Sequence, residues 1–158
     1  YDPYADLSAA ASLGVELLPL DRVMAESDFV SINCKVTRET VGLVGAREIS
    51  LMKPTAILIN TARASIVDQN ALIEALQNRR IGGAALDVFW NEPLPSNHPL
   101  LKLDNVTLTP HLGGASYDVA LHHSEMVVAD LSRWFKGEKP RNVMNPGVLE
   151  ILPAGSRA

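Results

Sequence analysis

The chain has 158 residues, enough for one hydrophobic core of ordinary size, so a single domain is the starting expectation. Apolar residues make up 47% and charged residues 20%, with a formal net charge of -4, a balance that excludes a broadly electrostatic nucleic-acid binder. No apolar run nears the ~20 residues of a membrane-spanning helix, and a single cysteine, Cys34, excludes an internal disulfide; the expectation is a cytoplasmic protein with no membrane partner and no metal site.

Tyr1-Asp2-Pro3-Tyr4 reads as the end of a strand entering a turn, with the strand itself expected upstream. An Ala-rich helix is predicted over 6–13, stopped by Gly14 as a C-cap. The next strand is 29–33, after Ser27-Asp28. A short helix over 46–52 halts before Pro54, and 56–60 forms a second strand. Asp68 is placed to cap a helix over 69–79, with Leu72, Ile73 and Leu76 on its apolar face and Arg79-Arg80 suited to its C-terminal dipole. Strands at 84–89, after Gly82-Gly83, and at 106–108, after Asp104-Asn105, complete the set. Runs this short and rich in Ile and Val suit strands buried on both faces. Their alternation with helices predicts an α/β fold, a doubly wound parallel sheet with helices on both faces. Further on, 117–135 carries a long helical pattern that reads as a crossover leaving the sheet. Gly137-Glu138-Lys139-Pro140 breaks it, 143–148 reads as one extended segment, and the small, polar residues 153–158 read as a disordered tail.

Ligands of an open parallel sheet bind beyond the carboxyl ends of its strands, so the residues at those ends carry the functional reading. The expected upstream strand ends in Asp2, the next in Asn33-Cys34-Lys35, and the next in Asn60-Thr61-Ala62-Arg63. The fourth carries Asp87 and runs into Asn91-Glu92-Pro93; the fifth ends in Thr109-Pro110-His111, followed by Gly113-Gly114. A cation, two carboxylates and an imidazole therefore converge on one edge. Singly, each has a plainer reading: Arg63 as a loop cation, His111 as a hydrogen-bonded core histidine, Glu92 as a turn residue. Asp87 is harder to dismiss, because a carboxylate inside an apolar strand is costly without partners.

In order, these blocks resemble the D-isomer-specific 2-hydroxyacid dehydrogenases. The resemblance rests on residues 60–68 (Asn-Thr-Ala-Arg-Ala-Ser-Ile-Val-Asp), 84–89 with Glu92-Pro93, and 109–114 (Thr-Pro-His-Leu-Gly-Gly). Further matches are Asp28-Phe29-Val30 through Thr37, Glu39-Thr40, Gly42-Leu43, His98-Pro99-Leu100-Leu101 and Asn105-Val106, so that it covers roughly 1–148. It implies a Rossmann-type sheet lacking its first strand and glycine-rich loop. Residues 1–114 would be the C-terminal part of an NAD-binding domain. Residues 115–148 would be a crossover helix and a segment returning to a substrate domain, and 149–158 a tail. Gly113-Gly114 is not that glycine-rich loop, since it does not join a first strand to a first helix.

The resemblance also implies roles. Arg63 would hold the substrate carboxylate and carbonyl, a task suited to a planar, permanently charged guanidinium. His111 would be the general acid/base at C2, and Glu92 would orient the imidazole and favour its protonated form. NAD contacts would fall on Asp2, Cys34, Thr61, Ala62, Arg63, Asp87, His111, Gly113 and Gly114. Asp2 would take the adenosine ribose hydroxyls, favouring NAD over NADP, and Asp87 the nicotinamide carboxamide; Cys34 would be a wall of the site. The chain departs from the family at Lys35, where Pro is common, and at Ala64, where Gly is common. The implied reaction is hydride transfer between NAD and a D-2-hydroxyacid/2-ketoacid pair. The segment from Gly137 to Val143 and the turn after His111 look nearest to phosphoglycerate-dehydrogenase-like members, with glyoxylate or hydroxypyruvate reductase as the alternative. A non-catalytic, NAD-sensing corepressor-like protein is the alternative from another class. A small 2-hydroxyacid or 2-ketoacid is the expected partner, the full-length protein is expected to be a homodimer, and residues 1–158 alone are expected to be inactive.

Overall fold

The computed structural model describes residues 1–151, so the expected tail over 153–158 lies outside the described residues. The chain divides after Gly113 into two compact units.

In the first unit, four parallel strands, β1 (Phe29–Ile32), β2 (Ile57–Asn60), β3 (Gly83–Leu86) and β4 (Val106–Leu108), lie side by side in sequence order. Val30 stands beside Leu58, Leu58 beside Ala84, and Ala84 beside Val106, so one row of side chains crosses the whole sheet. Helices α1 (Leu7–Ser12) and α2 (Leu20–Glu26) precede β1, α3 (Ala46–Leu51) joins β1 to β2, and α4 (Gln69–Gln77) joins β2 to β3. Right-handed crossovers between strands laid down in one direction bring successive helices onto one face. Accordingly α2 touches α3 and α3 touches α4. Met24, Ile49, Leu72 and Leu76 from these helices, with Met52 just after α3, form one core with Val30, Ile32, Leu58, Ala84 and Leu86 of the sheet.

Burial on both faces, expected from the apolar runs, is not what the strands show. Burial alternates along β1 and β2, and only β3 is buried at consecutive positions, Gly83 and Ala84: in β1, Val30 and Ile32 are buried, whereas Phe29 is 67% exposed and Ser31 is exposed. Along β2, Leu58 and Asn60 are buried while Ile57 and Ile59 are only half-buried. The apolar content of the runs is therefore larger than one covered face requires.

Local chemistry sets the element ends. Asp6 caps α1, accepting from the Ser8 and Ala9 N–H groups at 2.8 and 3.2 Å. Gly14 (φ 68°) then turns the chain back, with the Val15 N–H bonded to the Ala10 carbonyl. Helix α4 stops at Gln77, two residues before its expected end. Arg79 (φ 52°) takes the left-handed position of a Schellman turn, and the Arg80 N–H reaches the Ala75 carbonyl at 2.8 Å. Arg79 pairs with Asp104, and Arg80 donates to the Ser50 and Met52 carbonyls. The Gly82-Gly83 pair is demanded by close approach: a Cβ at either would sit 2.5 Å from a backbone oxygen, of Thr55 or Asn105. Strand β3 ends at Leu86, earlier than expected, so Asp87 begins the loop.

In the second unit, Ser116 caps the long helix α5 (Tyr117–Phe135) by accepting from the Val119 N–H. The chain then doubles back along it, Asp130 accepting from the Arg141 and Asn142 N–H groups at 2.8 and 2.9 Å. Residues 143–148, expected as one extended segment, form no strand. Pro146-Gly147 turn the backbone, and Val148 opens the short helix α6 (Val148–Ile151).

Candidate active site

Strand β2 ends in Asn60, 1% exposed, whose amide finds both partners in the turn that follows. Its Oδ1 accepts from the Ala62 N–H and its Nδ2 donates to the Arg63 carbonyl, both at 3.0 Å. A buried amide must be satisfied, and here satisfying it shapes the turn that presents Arg63. Arg63 is extended (φ -149°) and opens a 3-10 turn, Ala64–Ile66. Its guanidinium is exposed, donates to the Ala62 carbonyl at 2.7 Å, and has no carboxylate partner among the described residues.

Glu92 stands in the loop after β3. One oxygen accepts from the Phe89 N–H at 2.9 Å; the other lies 2.7 Å from His111 Nδ1. The hydrogen bond from His111, then the Phe89 N–H, then the nearby charges of His111 and Arg63 hold the Glu92 carboxyl below its usual range. The carboxylate is thus ionised at neutral pH, beside the imidazole and within the field of Arg63. His111 has positive φ (57°), and its side chain is 42% exposed. With Nδ1 committed to Glu92, Nε2 is the ring atom left to face a ligand.

Asp87 is 5% exposed and explains its own burial. Oδ1 accepts from the Thr109 hydroxyl and the Leu112 N–H, and Oδ2 from the Gly113 N–H, the two amide bonds at 2.8 Å. These donors, Thr109 foremost, hold its carboxyl below the usual range. Asp87 therefore fastens the end of β3 to both sides of the His111 turn. A Cβ on Gly113 would lie 3.1 Å from Oδ2, so a side chain there would press on this anchor.

Asp2 and Cys34 stand apart from this group. Both are exposed and line an open cleft of about 920 Å³, with Tyr1, Val30, Asn33 and Thr40 among its walls. Asp2 is bonded locally, to the Tyr4 N–H at 2.9 Å. Thr61 is exposed and Ala62 half-buried in the Arg63 turn; Gly114 belongs to the second unit. Lys35 is exposed, and Ala64 is buried at the base of the Arg63 turn.

The sequence model of the D-isomer specific 2-hydroxyacid dehydrogenase NAD-binding domain matches residues 1–113. The chain belongs to this family. Glyoxylate reductase of Korarchaeum cryptofilum is 44% identical over 155 residues, covering 98% of this chain and 47% of that protein. D-3-phosphoglycerate dehydrogenase of Archaeoglobus fulgidus is 38% identical over 145 residues, covering 92% of this chain and 28% of that protein. Among solved structures, the NAD-complexed D-isomer specific 2-hydroxyacid dehydrogenase of Lactobacillus delbrueckii ssp. bulgaricus superposes with a TM-score of 0.82 at 29% identity. That match covers 92% of this chain and 47% of the other. The chain thus spans less than half the length of these relatives.

Within this dehydrogenase domain, Asn60 and Thr109 were not singled out from the sequence. Asn60 had a readable signal, an amide closing an apolar strand. Thr109 had none, because its role depends on Asp87, 22 residues away.

Proposed function

We propose that this chain supplies the substrate-facing wall of an NAD-dependent 2-hydroxyacid dehydrogenase that reduces a small 2-ketoacid, glyoxylate being the best-supported substrate. The observation that carries it is the His111–Glu92 pair at 2.7 Å with the Arg63 charge in reach. Arg63, exposed and without a carboxylate of its own, binds the substrate carboxylate through paired N–H donors. His111 Nε2 donates a proton to the C2 oxygen during reduction and removes it during oxidation. Glu92 stays ionised, holds Nδ1–H, and offsets the imidazolium charge. Asp87 keeps the His111 turn at the end of β3.

The residues present fit a dinucleotide. Asp2 offers an exposed carboxylate at a roomy cleft, which suits a ribose diol, and Cys34 adds a short uncharged wall there, while Thr61 and Ala62 stand in the Arg63 turn. Asp87 keeps acceptor capacity on Oδ2 for a carboxamide, having only one donor there. The cofactor, when bound, supplies or accepts the hydride at C2. Gly113 and Gly114 leave the backbone accessible beside it.

The phosphoglycerate-like reading is weaker, because the 44% relative is a glyoxylate reductase and the phosphoglycerate dehydrogenase is 38% identical. A ketoacid panel of glyoxylate, hydroxypyruvate and phosphohydroxypyruvate, assayed as NADH oxidation by the intact protein, tests it. Glyoxylate is expected to give the highest kcat/KM. His111→Ala is expected to lower kcat by about 10²–10⁴ while NADH affinity holds. Unchanged turnover in that variant removes the acid/base assignment, and activity with no ketoacid in the panel removes the whole reading.

A further inference from the structure

Arg63 and the Glu92–His111 pair stand on different loops, and neither loop alone fixes its distance from the other. Two hydrogen bonds join them below the site. The Trp90 indole N–H donates to the Val67 carbonyl at 3.1 Å, and the Gln69 amide meets His98 Nε2 at 3.0 Å. Val67 closes the 3-10 turn that Arg63 opens, its N–H bonded to the Ala64 carbonyl at 3.0 Å. Gln69, two residues on, begins α4. On the other side, Trp90 follows Phe89, whose N–H holds Glu92, and His98 ends the same loop.

Both ring nitrogens of His98 have partners. It is only 9% exposed, and its Nδ1 accepts from the Leu100 N–H at 3.3 Å, capping the 3-10 turn Pro99–Lys102. Gln69 Nε2 lies 3.0 Å from His98 Nε2, so the ring nitrogen not used in the cap is the one that meets the amide. One histidine thus does two things: it caps its own turn and crosses to the element that follows Arg63.

We propose that His98 and Gln69, with Trp90, are positioning residues of the dehydrogenase, holding the Glu92–His111 pair at a fixed span from Arg63. The proposal rests on the reading of Arg63 and His111 above. Substrate held by its carboxylate at Arg63 must present its C2 oxygen to His111 Nε2, so the span between the loops sets proton-transfer geometry. Misplacement by a fraction of the loop's reach leaves the carboxylate bound but the proton donor off line. The loss is therefore expected in kcat rather than in KM.

Two substitutions separate this role from simple structural support. His98→Asn keeps an oxygen where Nδ1 accepts from Leu100, retaining the cap, but is too short to reach Gln69. Gln69→Leu removes the same bond from the other side and leaves the cap untouched. In the intact protein each is expected to lower kcat for glyoxylate about tenfold, with the glyoxylate KM within about twofold and NADH affinity unchanged. The double variant is expected to be no worse than the worse single, because both remove one shared bond. Folded variants with unaltered kcat overturn the proposal, as do losses that multiply in the double variant. A fall in thermal stability with kcat per folded molecule unchanged also overturns it, since that is what a purely structural bond would give. An inactive wild type refutes the functional reading and the proposal together, whereas an active wild type with unaffected variants refutes the proposal alone.

Discussion

The carboxylate of Asp87 shows how one residue can serve packing and chemistry at once. Its pKa is depressed by Thr109, Leu112 and Gly113, so the ionised form is bound more strongly in the folded than in the unfolded chain. A depressed carboxyl stabilises the fold above its unfolded value, and that contribution fades as pH falls through the folded value. The window therefore lies below about pH 4, where an unperturbed aspartate titrates. Asp87→Asn places an NH2 group among three donors and cannot satisfy them all. At neutral pH this variant is expected to melt at a lower temperature than wild type, the gap narrowing as pH drops below about 4. Thermal scans across that range check it, and a gap that widens toward acid contradicts the anchor. The residues proposed to act at the substrate, Arg63 and His111 with Glu92 behind the imidazole, could be picked out of the chain because they fall at strand ends in a recognisable order. Those that hold them were not. Thr109, Phe89 and Val67 act through a hydroxyl, an N–H and a carbonyl whose partners are set only by the folded chain.

At the scale of elements, the strands and the longer helices were legible from apolar runs and caps, and all four strands appear at their expected places to within three residues. Helix α2 escaped notice. It has seven residues, follows Pro19 without a side-chain cap, and shows only Leu20, Val23 and Met24 as an apolar stripe. The Schellman end of α4 was hidden for another reason, since its left-handed position holds Arg79 where glycine is the usual signal. The glycine pair at the start of β3 is a clearer case of sequence dictating packing. A methyl group on Gly83 would stand 2.5 Å from the Asn105 carbonyl oxygen, which belongs to the backbone and cannot swing aside. Gly83→Ala is therefore expected to push β3 from β4 and to destabilise the protein by about 1–3 kcal/mol, measured by urea unfolding. Since Asp87 and Thr109 sit at the far ends of those two strands, activity should fall with stability. A variant as stable as wild type would show that the strands shift at no cost.

The first unit presents an open wall to a ligand. Among the described residues strand β1 is paired only with β2, its Phe29 is 67% exposed, and the cleft bearing Asp2 and Cys34 is open. Drug-sized ligands usually bury about 70–90% of their surface in a preformed site. A single wall contacts a ligand from one side, so the polar groups of Asp2 and Asp87 would orient it without enclosing it. The same open edge invites pairing with other chains. The 158-residue polypeptide expressed by itself is therefore expected to bind NADH weakly, without saturation in a fluorescence titration, and to show no ketoacid-dependent turnover. Its His111–Glu92 pair and Arg63 turn should nevertheless be formed, because every hydrogen bond that builds them lies within residues 60–113. Proton NMR of the His111 ring would report that pair independently of any cofactor. Tight, stoichiometric NADH binding by this polypeptide would show that one wall suffices, and would move the burden of cofactor affinity onto Asp2, Cys34 and the turns around Arg63 and His111.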